Sequence, residues 1–183
     1  MNEVRIIGGL WKRRKLRFPP RPGLRPSPDR TRVTLFNWLT AHLDGARCLD
    51  LFAGSGALGF EAASRGAGAV TLVEHDAQAV AALRAMRGTL AATCCEIVKA
   101  DAIAWLARDR TVWDVVFLDP PYDGPLLPRA LDLLADGRVH VDSLVYIEFR
   151  RDCEPPLGPS WRVAKSTRAG DSSARLLRWS AAG

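Results

Sequence analysis

From Arg47 onward, short apolar runs alternate with longer segments whose apolar residues recur three and four apart, and that alternation predicts strand after helix. The strand-like runs are Arg47 to Leu51, Ala69 to Glu74, Glu96 to Ala100, Trp113 to Asp119 and Leu144 to Phe149. Between them Leu58 to Arg65, closed by Gly66, Ala77 to Leu90, a short stretch around Trp105, and Leu126 to Leu134 behind Pro125 read as helices. Two last runs, Trp161 to Thr167 and Ala174 to Trp179, predict a terminal antiparallel pair. The whole is an α/β pattern: a doubly wound, mainly parallel, seven-stranded sheet with helices on both faces and an antiparallel strand at its C-terminal end.

The first residues break this rhythm. Glu3 to Ile7 and Lys15 to Phe18 read as a hairpin around Gly8-Gly9 that projects Lys12 to Lys15 into solvent. Pro19-Pro20-Arg21-Pro22-Gly23 and Pro26-Ser27-Pro28 predict an extended, mobile connection. Ser27 or Asp29 then caps a helix in which Leu35, Trp38, Leu39 and His42 share a stripe, with Phe36 and Leu43 beside it. The chain therefore divides into an arm, residues 1–28, and one domain, residues 29–183; at 183 residues and 48% hydrophobic content it supports one full core.

Charge sharpens that division. Residues 1–32 hold ten basic and two acidic side chains, a net +8, which leaves −2 for the rest of a chain whose total is +6. A basic arm with Trp11 and Phe18 interleaved is the footprint of a polyanionic partner. Cys48, Cys94, Cys95 and Cys153 lack metal or disulfide spacing and read as reduced, mostly buried thiols, and no metal is expected. With no apolar stretch of membrane-spanning length and no signal-like start, the expectation is a soluble cytoplasmic monomer.

Two patterns carry chemistry. The run Val115-Val116-Phe117-Leu118 ends in Asp119-Pro120-Pro121-Tyr122. The prolines fix the turn and cannot extend a ladder, so the Asp119 carboxylate and the Pro120 carbonyl can accept both hydrogens of an exocyclic amine. Tyr122 can stack on the base, a contact worth about 1–3 kcal/mol. In the second pattern, Asp50-Leu51-Phe52-Ala53-Gly54-Ser55-Gly56-Ala57-Leu58-Gly59 stands where the first core strand gives way to a helix, with Gly54, Gly56 and Gly59 in the GxGxxG spacing. Glu74 closes the next strand, placed for a ribose diol, so an adenosine-containing cofactor is implied. Asp50 suits the charged amino group of S-adenosylmethionine better than a pyrophosphate, and Asp101 can accept from an adenine amino group. Asp50, Glu74, Asp101 and Asp119 should line one rim, whereas Asp76 reads as a plain helix cap.

The sequence resembles the RsmD-type bacterial enzymes that methylate the N2 amine of a guanine in 16S ribosomal RNA. The resemblance rests on Arg5-Ile6-Ile7-Gly8-Gly9, Gly23-Leu24-Arg25-Pro26, Asp29-Arg30 with Arg32, Leu35-Phe36-Asn37-Trp38-Leu39, Leu49 to Gly59, and Asp119 to Tyr122, in order and spacing. It implies a Rossmann-like class I methyltransferase fold carrying a basic hairpin arm. Asp50 and Phe52-Ala53-Gly54-Ser55-Gly56 would hold the methionine part, Glu74 the ribose, Asp101 with Ala102 the adenine, and Asp119, Pro120 and Tyr122 the target base. Lys12, Arg13, Arg14, Lys15, Arg25, Arg30 and Arg32 would meet RNA within a partly assembled small subunit. Val33 stands where the family usually has Glu, and Leu177 where an aromatic is common. Competing readings are an adenine-N6 DNA methyltransferase, which uses the same tetrapeptide, a protein glutamine methyltransferase, a nicotinamide oxidoreductase and a noncatalytic RNA-binding module.

Overall fold

The computed structural model describes residues 2–19, 29–121 and 124–180. The proline-rich connection from Pro20, the Ser27 and Asp29 caps, Arg25 and Tyr122 lie outside what is described. In chain order the elements are β1 (Asn2–Arg5), β2 (Lys15–Phe18), α1 (Asp29–Leu39), β3 (Arg47–Asp50), α2 (Ala57–Ser64), β4 (Ala69–Glu74) and α3 (Ala77–Leu90). There follow β5 (Cys95–Lys99), α4 (Ala102–Arg108), β6 (Trp113–Leu118), α5 (Leu126–Ala135), β7 (Val139–Arg150), β8 (Trp161–Ala169) and β9 (Ser172–Trp179).

Strands β3 to β9 form one sheet in the order β5-β4-β3-β6-β7-β9-β8. The first five pair in parallel, and β9 runs against both its neighbours. Alternate side chains serve opposite faces. Cys48, Leu72, Val115, Phe117 and Tyr146 pack with α1, α2 and α3, while Leu49, Val73, Val116, Leu118 and Ile147 pack with α4 and α5. Burial on both faces is why these strands read as near-continuous apolar runs. Among the described residues no helix is long and apolar enough to cross a membrane.

Several boundaries shift by one or two residues, and two differ for a visible physical reason. Strand β7 begins at Val139 rather than Leu144, because the Ser143 hydroxyl accepts from the His140 amide and donates to the Trp113 carbonyl, carrying the chain through an irregularity in the β6 pairing. The polar His140-Val141-Asp142 interrupts the apolar run and hides that start. Helix α1 gives way to a 3₁₀ turn at Thr40–His42, and His42 faces solvent instead of joining the apolar stripe.

The hairpin lies against the domain rather than standing clear of it. Val4, Ile6, Leu16 and Phe18 join the same core as Phe36, Phe60 and Leu83, leaving the turn, Leu10 and Lys12 to Lys15, in solvent. Helix α2 is buried along its whole length, so its polar residues need partners inside the protein. Glu61 accepts from the Ile7 amide at 2.7 Å, the Gly8 amide at 2.8 Å and Arg65 Nε at 2.7 Å. Ser64 Oγ accepts from the Trp11 amide at 2.9 Å and donates to the Gly8 carbonyl at 2.6 Å, while its own carbonyl accepts from the Leu10 amide at 2.7 Å. Gly9 sits at φ +74°, and a Cβ there would lie 1.8 Å from the Ser64 carbonyl oxygen, so only glycine fits. Arg32, fully buried, donates from Nη1 to the Arg5 carbonyl at 3.0 Å. It fastens the hairpin and is not a surface contact for RNA, which corrects its assignment from sequence.

Removing the Glu61 carboxylate strands two amides and a guanidinium at once. Glu61→Ala is expected to lose about 3 kcal/mol or more of unfolding free energy in denaturant titration, with selective loss of hydrogen-exchange protection at Ile7 and Gly8.

Candidate active site

Parallel strands deliver their carboxyl ends to one edge of the sheet, and β5, β4, β3 and β6 are consecutive neighbours. Glu74 ends β4 and Asp50 ends β3, while Asp119 follows β6 directly and Asp101 stands two residues past β5. The four acids singled out in the sequence therefore share one rim.

The loop between β3 and α2 is docked onto that rim by its own amides. Ala53 donates to the Val73 carbonyl at 3.0 Å and Gly54 to Glu74 Oε2 at 2.9 Å, while Gly56 donates back to the Ala53 carbonyl at 2.6 Å. Gly56, at φ +75°, opens α2 with no room for a side chain, since a Cβ would meet Leu83 at 2.6 Å and Phe60 at 2.7 Å. Phe52 and Ser55 are half-buried, Ala53 and Gly54 buried. The other oxygen of Glu74 accepts from the Asp76 amide at 2.8 Å and lies 3.1 Å from His75 Nδ1. Glu74 thus fixes the loop whatever else it holds.

Asp50 is almost completely buried, and its Oδ2 accepts from the Gly59 amide at 2.9 Å. Burial pushes its carboxyl up to about 7 from an ordinary 3.8; the Gly59 hydrogen bond opposes the rise and the nearby Glu74 charge adds to it. A buried acid poised to ionise at the mouth of a glycine loop favours a cation beside it.

Asp101 caps α4 through the Ala104 amide at 2.8 Å, with half-buried Ala102 next to it, and Asp76 caps α3 through Ala79. Asp119 is half-buried, Pro120 buried and Pro121 exposed. Both prolines border a cavity of about 200 Å³ lined also by Leu127, Pro128 and Phe149. Tyr122 lies outside the described residues.

Of the basic residues, Lys12, Arg13, Arg14 and Arg30 are exposed, Lys15 is exposed and lies 3.0 Å from Glu3, and Arg32 is buried. Glu61 and Ser64 hold the hairpin from the second half of α2, Ser64 lying about 12 Å along the helix from Gly56 at ~1.5 Å per residue.

One rim residue escaped the sequence reading. Glu148, near the end of β7, is 2% exposed and accepts from Tyr146 Oη at 3.0 Å and Ser172 Oγ at 2.7 Å. The signal was present, an acid closing the apolar run Leu144 to Ile147, as Asp119 closes β6.

A family model described as Conserved hypothetical protein 95 matches residues 4–178. The chain is 42% identical over 184 residues to the ribosomal RNA small subunit methyltransferase D of Escherichia coli strain K12, covering 100% of this chain and 93% of that protein. Against the protein of the same name from Haemophilus influenzae the identity is 40%, with 97% and 94% covered. The solved structure of yhhF from Escherichia coli superposes with a TM-score of 0.91 at 40% identity, covering 99% of this chain and 100% of that one.

The raised Asp50 carboxyl ties stability to pH. Its folded value lies above the unfolded one, so its contribution is complete below about pH 4 and is lost as the pH rises through about 7. Unfolding free energies measured across that interval should fall in the unliganded protein, and Asp50→Asn should flatten that limb of the profile.

Proposed function

This chain belongs to the Conserved hypothetical protein 95 family, that of the ribosomal RNA small subunit methyltransferase D enzymes, and we propose that it methylates the exocyclic N2 amine of a guanine in 16S ribosomal RNA. The substrate in this reading is an assembling small subunit, met by a cytoplasmic monomer. The observation that carries it is the Asp119-Pro120-Pro121 turn on β6, immediately beside the strand that ends in the buried Asp50. The seven-stranded sheet with its single reversed strand is the class I methyltransferase fold.

S-adenosylmethionine fits the residues present and supplies an electrophilic methyl group on a sulfonium. Asp50 suits its cationic amino group, because ionising this buried acid beside a cation offsets the cost of burial. The glycine loop leaves backbone unobstructed there, and Glu74, Asp101 and Ala102 continue along the rim as hydrogen-bonding edges for ribose and adenine. A nicotinamide cofactor would instead bring a pyrophosphate against Asp50, which is repulsive.

Guanine N2 is a poor nucleophile, since its lone pair is delocalised into the ring. Asp119 and the Pro120 carbonyl accept its two hydrogens, favour a pyramidal nitrogen and aim the lone pair, so catalysis is orientation plus electrostatics. As nitrogen gains positive charge, the Asp119 carboxylate stabilises it and accepts the departing proton. Tyr122 stacks on the ring. The base must leave its stack first, at a cost smallest where it is already unpaired.

Lys12, Arg13 and Arg14, exposed on a hairpin fixed to α2, provide a phosphate contact at a set distance from the rim. Arg30, exposed at the start of α1, is a further candidate for RNA, as Arg25 is from the sequence, whereas Lys15 is shared with Glu3.

The direct test is mass-spectrometric mapping of methylated nucleosides in ribosomal RNA from cells with and without the gene, repeated with purified enzyme, S-adenosylmethionine and small-subunit particles. N2-methylguanine that depends on the gene is the expected product, and its absence overturns the reading. Asp119→Ala should keep cofactor affinity in calorimetric titration while losing at least 100-fold in methyl transfer. Replacing Lys12, Arg13 and Arg14 by Ala should flatten the log–log salt dependence of RNA binding by roughly 0.7 per lost phosphate contact.

A further inference from the structure

An Asp-Pro-Pro turn grips any amine with two hydrogens and so serves adenine N6 as readily as guanine N2. The two purines differ at the neighbouring ring atom. Guanine N1 carries a hydrogen, whereas adenine N1 presents a lone pair, so an acceptor placed beside the amine site separates them.

Glu148 stands at that place. Strand β7 pairs with β6 up to Ile147 opposite Leu118, and carrying that register one residue past the end of β6 brings Glu148 alongside Asp119, at a strand spacing of about 4.8 Å. The same continuation puts both on the face of Phe117 and Tyr146, two residues back on each chain and partners in one core cluster. Tyr146 Oη and Ser172 Oγ donate to one carboxylate oxygen each and fix its plane. These two donors orient the carboxylate, a group that can accept about four hydrogen bonds in all. Glu148 also borders, with Pro120 and Pro121, the apolar cavity beside the turn. Burying a carboxylate at the edge of a sheet is costly, and the join between β7 and β9 needs none, since Val145-Leu177 and Tyr146-Leu176 already pack there.

We infer that Glu148 is the residue that selects guanine, accepting from N1–H of the target base while Asp119 and the Pro120 carbonyl accept from N2. This rests on the guanine-N2 reading given above. Adenine in the same seat would turn a lone pair towards the Glu148 carboxylate, so the residue excludes the wrong purine as well as holding the right one. Its action on the reaction is by positioning, through a ring atom adjacent to the reacting nitrogen.

The test uses 2-aminopurine, which keeps the N2 amine but has a lone pair at N1. Small-subunit particles are reconstituted with RNA carrying guanine or 2-aminopurine at the mapped position, and methyl transfer is measured with wild-type enzyme and Glu148→Gln. Wild type should prefer guanine by on the order of 100-fold or more, because a buried acceptor is left facing a lone pair otherwise. Glu148→Gln, whose amide can donate to that lone pair, should lower the guanine rate and shrink the preference at least tenfold, with cofactor affinity unchanged. Equal losses on both substrates, or an unchanged preference, would mean that Glu148 only braces β9 and would overturn the inference. If Glu148→Gln does not fold, Ser172→Ala serves instead: loosening the carboxylate should cut the preference several-fold, and an unaltered preference overturns the assignment. Wild-type enzyme that leaves guanine unmethylated defeats the underlying guanine-N2 reading itself, a separate result from any change in the ratio.

Discussion

A helix buried on every side must find partners for whatever polar groups its outer face carries, and in α2 that demand falls on Glu61 and Ser64. The hairpin answers it with three amides and a carbonyl, and Arg65 completes the set by pairing with Glu61 while its guanidinium lies 5.1 Å from the centre of the Phe36 ring. Because α2 begins at the glycine loop, the segment that carries the basic turn and the segment that faces the cofactor rim are two ends of one rigid element. Cutting the seam would free the arm and uncover the helix that positions Gly56 and Gly59. The fold, the loop and the placing of the basic turn therefore stand on the same few hydrogen bonds.

The electrostatic consequence is a molecule with separated signs. Asp50, Glu74, Asp119 and Glu148 gather on one edge of the sheet, and the exposed cations Lys12, Arg13 and Arg14 lie on the hairpin turn. Such a charge distribution favours anions at the turn and disfavours them at the rim, where carboxylates offer hydrogen-bond acceptors. A ligand with a polyanionic backbone and a donor-bearing base can satisfy both ends. Free phosphate or a carboxylate metabolite satisfies one at most.

Much of this was legible beforehand. Ala69–Glu74 and Ala77–Leu90 form the strand and helix their periodicity predicts, and acids at the ends of apolar runs reach one rim because parallel strands share a direction. What escaped was buried charge. From sequence, Arg32 is assigned to RNA and Glu61, Glu148 and Arg138 are not singled out, because a charged letter carries no sign of the donors or acceptors the fold will bring to it. Arg138 shows the reason well: Nε donates to the Leu106 and Asp109 carbonyls and Nη1 to Leu133, tying the ends of α4 and α5 with carbonyls contributed from distant parts of the chain. Leu177, where the resembling family is commonly aromatic, is fully buried in β9, whereas Val33 is 40% exposed on α1. Packing at the first and solvent at the second are facts of three dimensions that no local pattern encodes.

The reversed direction of β9 has a consequence of its own. A strand running with its neighbours would bring its end to the rim, followed by whatever helix came next; β9 brings its beginning, and the chain reaches it through the tight turn after Ala169, with Gly170 at φ +59°. Ser172, the first residue of β9, is thereby held against Glu148 by a connection that packs no helix onto the sheet. Such a hairpin bend is the part of a domain most open to revision, since residues there can be exchanged, added or deleted without disturbing a helix–sheet interface. A scaffold of this kind can change the partner of its rim carboxylate while the β3–α2 loop and the parallel strands beside it stay as they are.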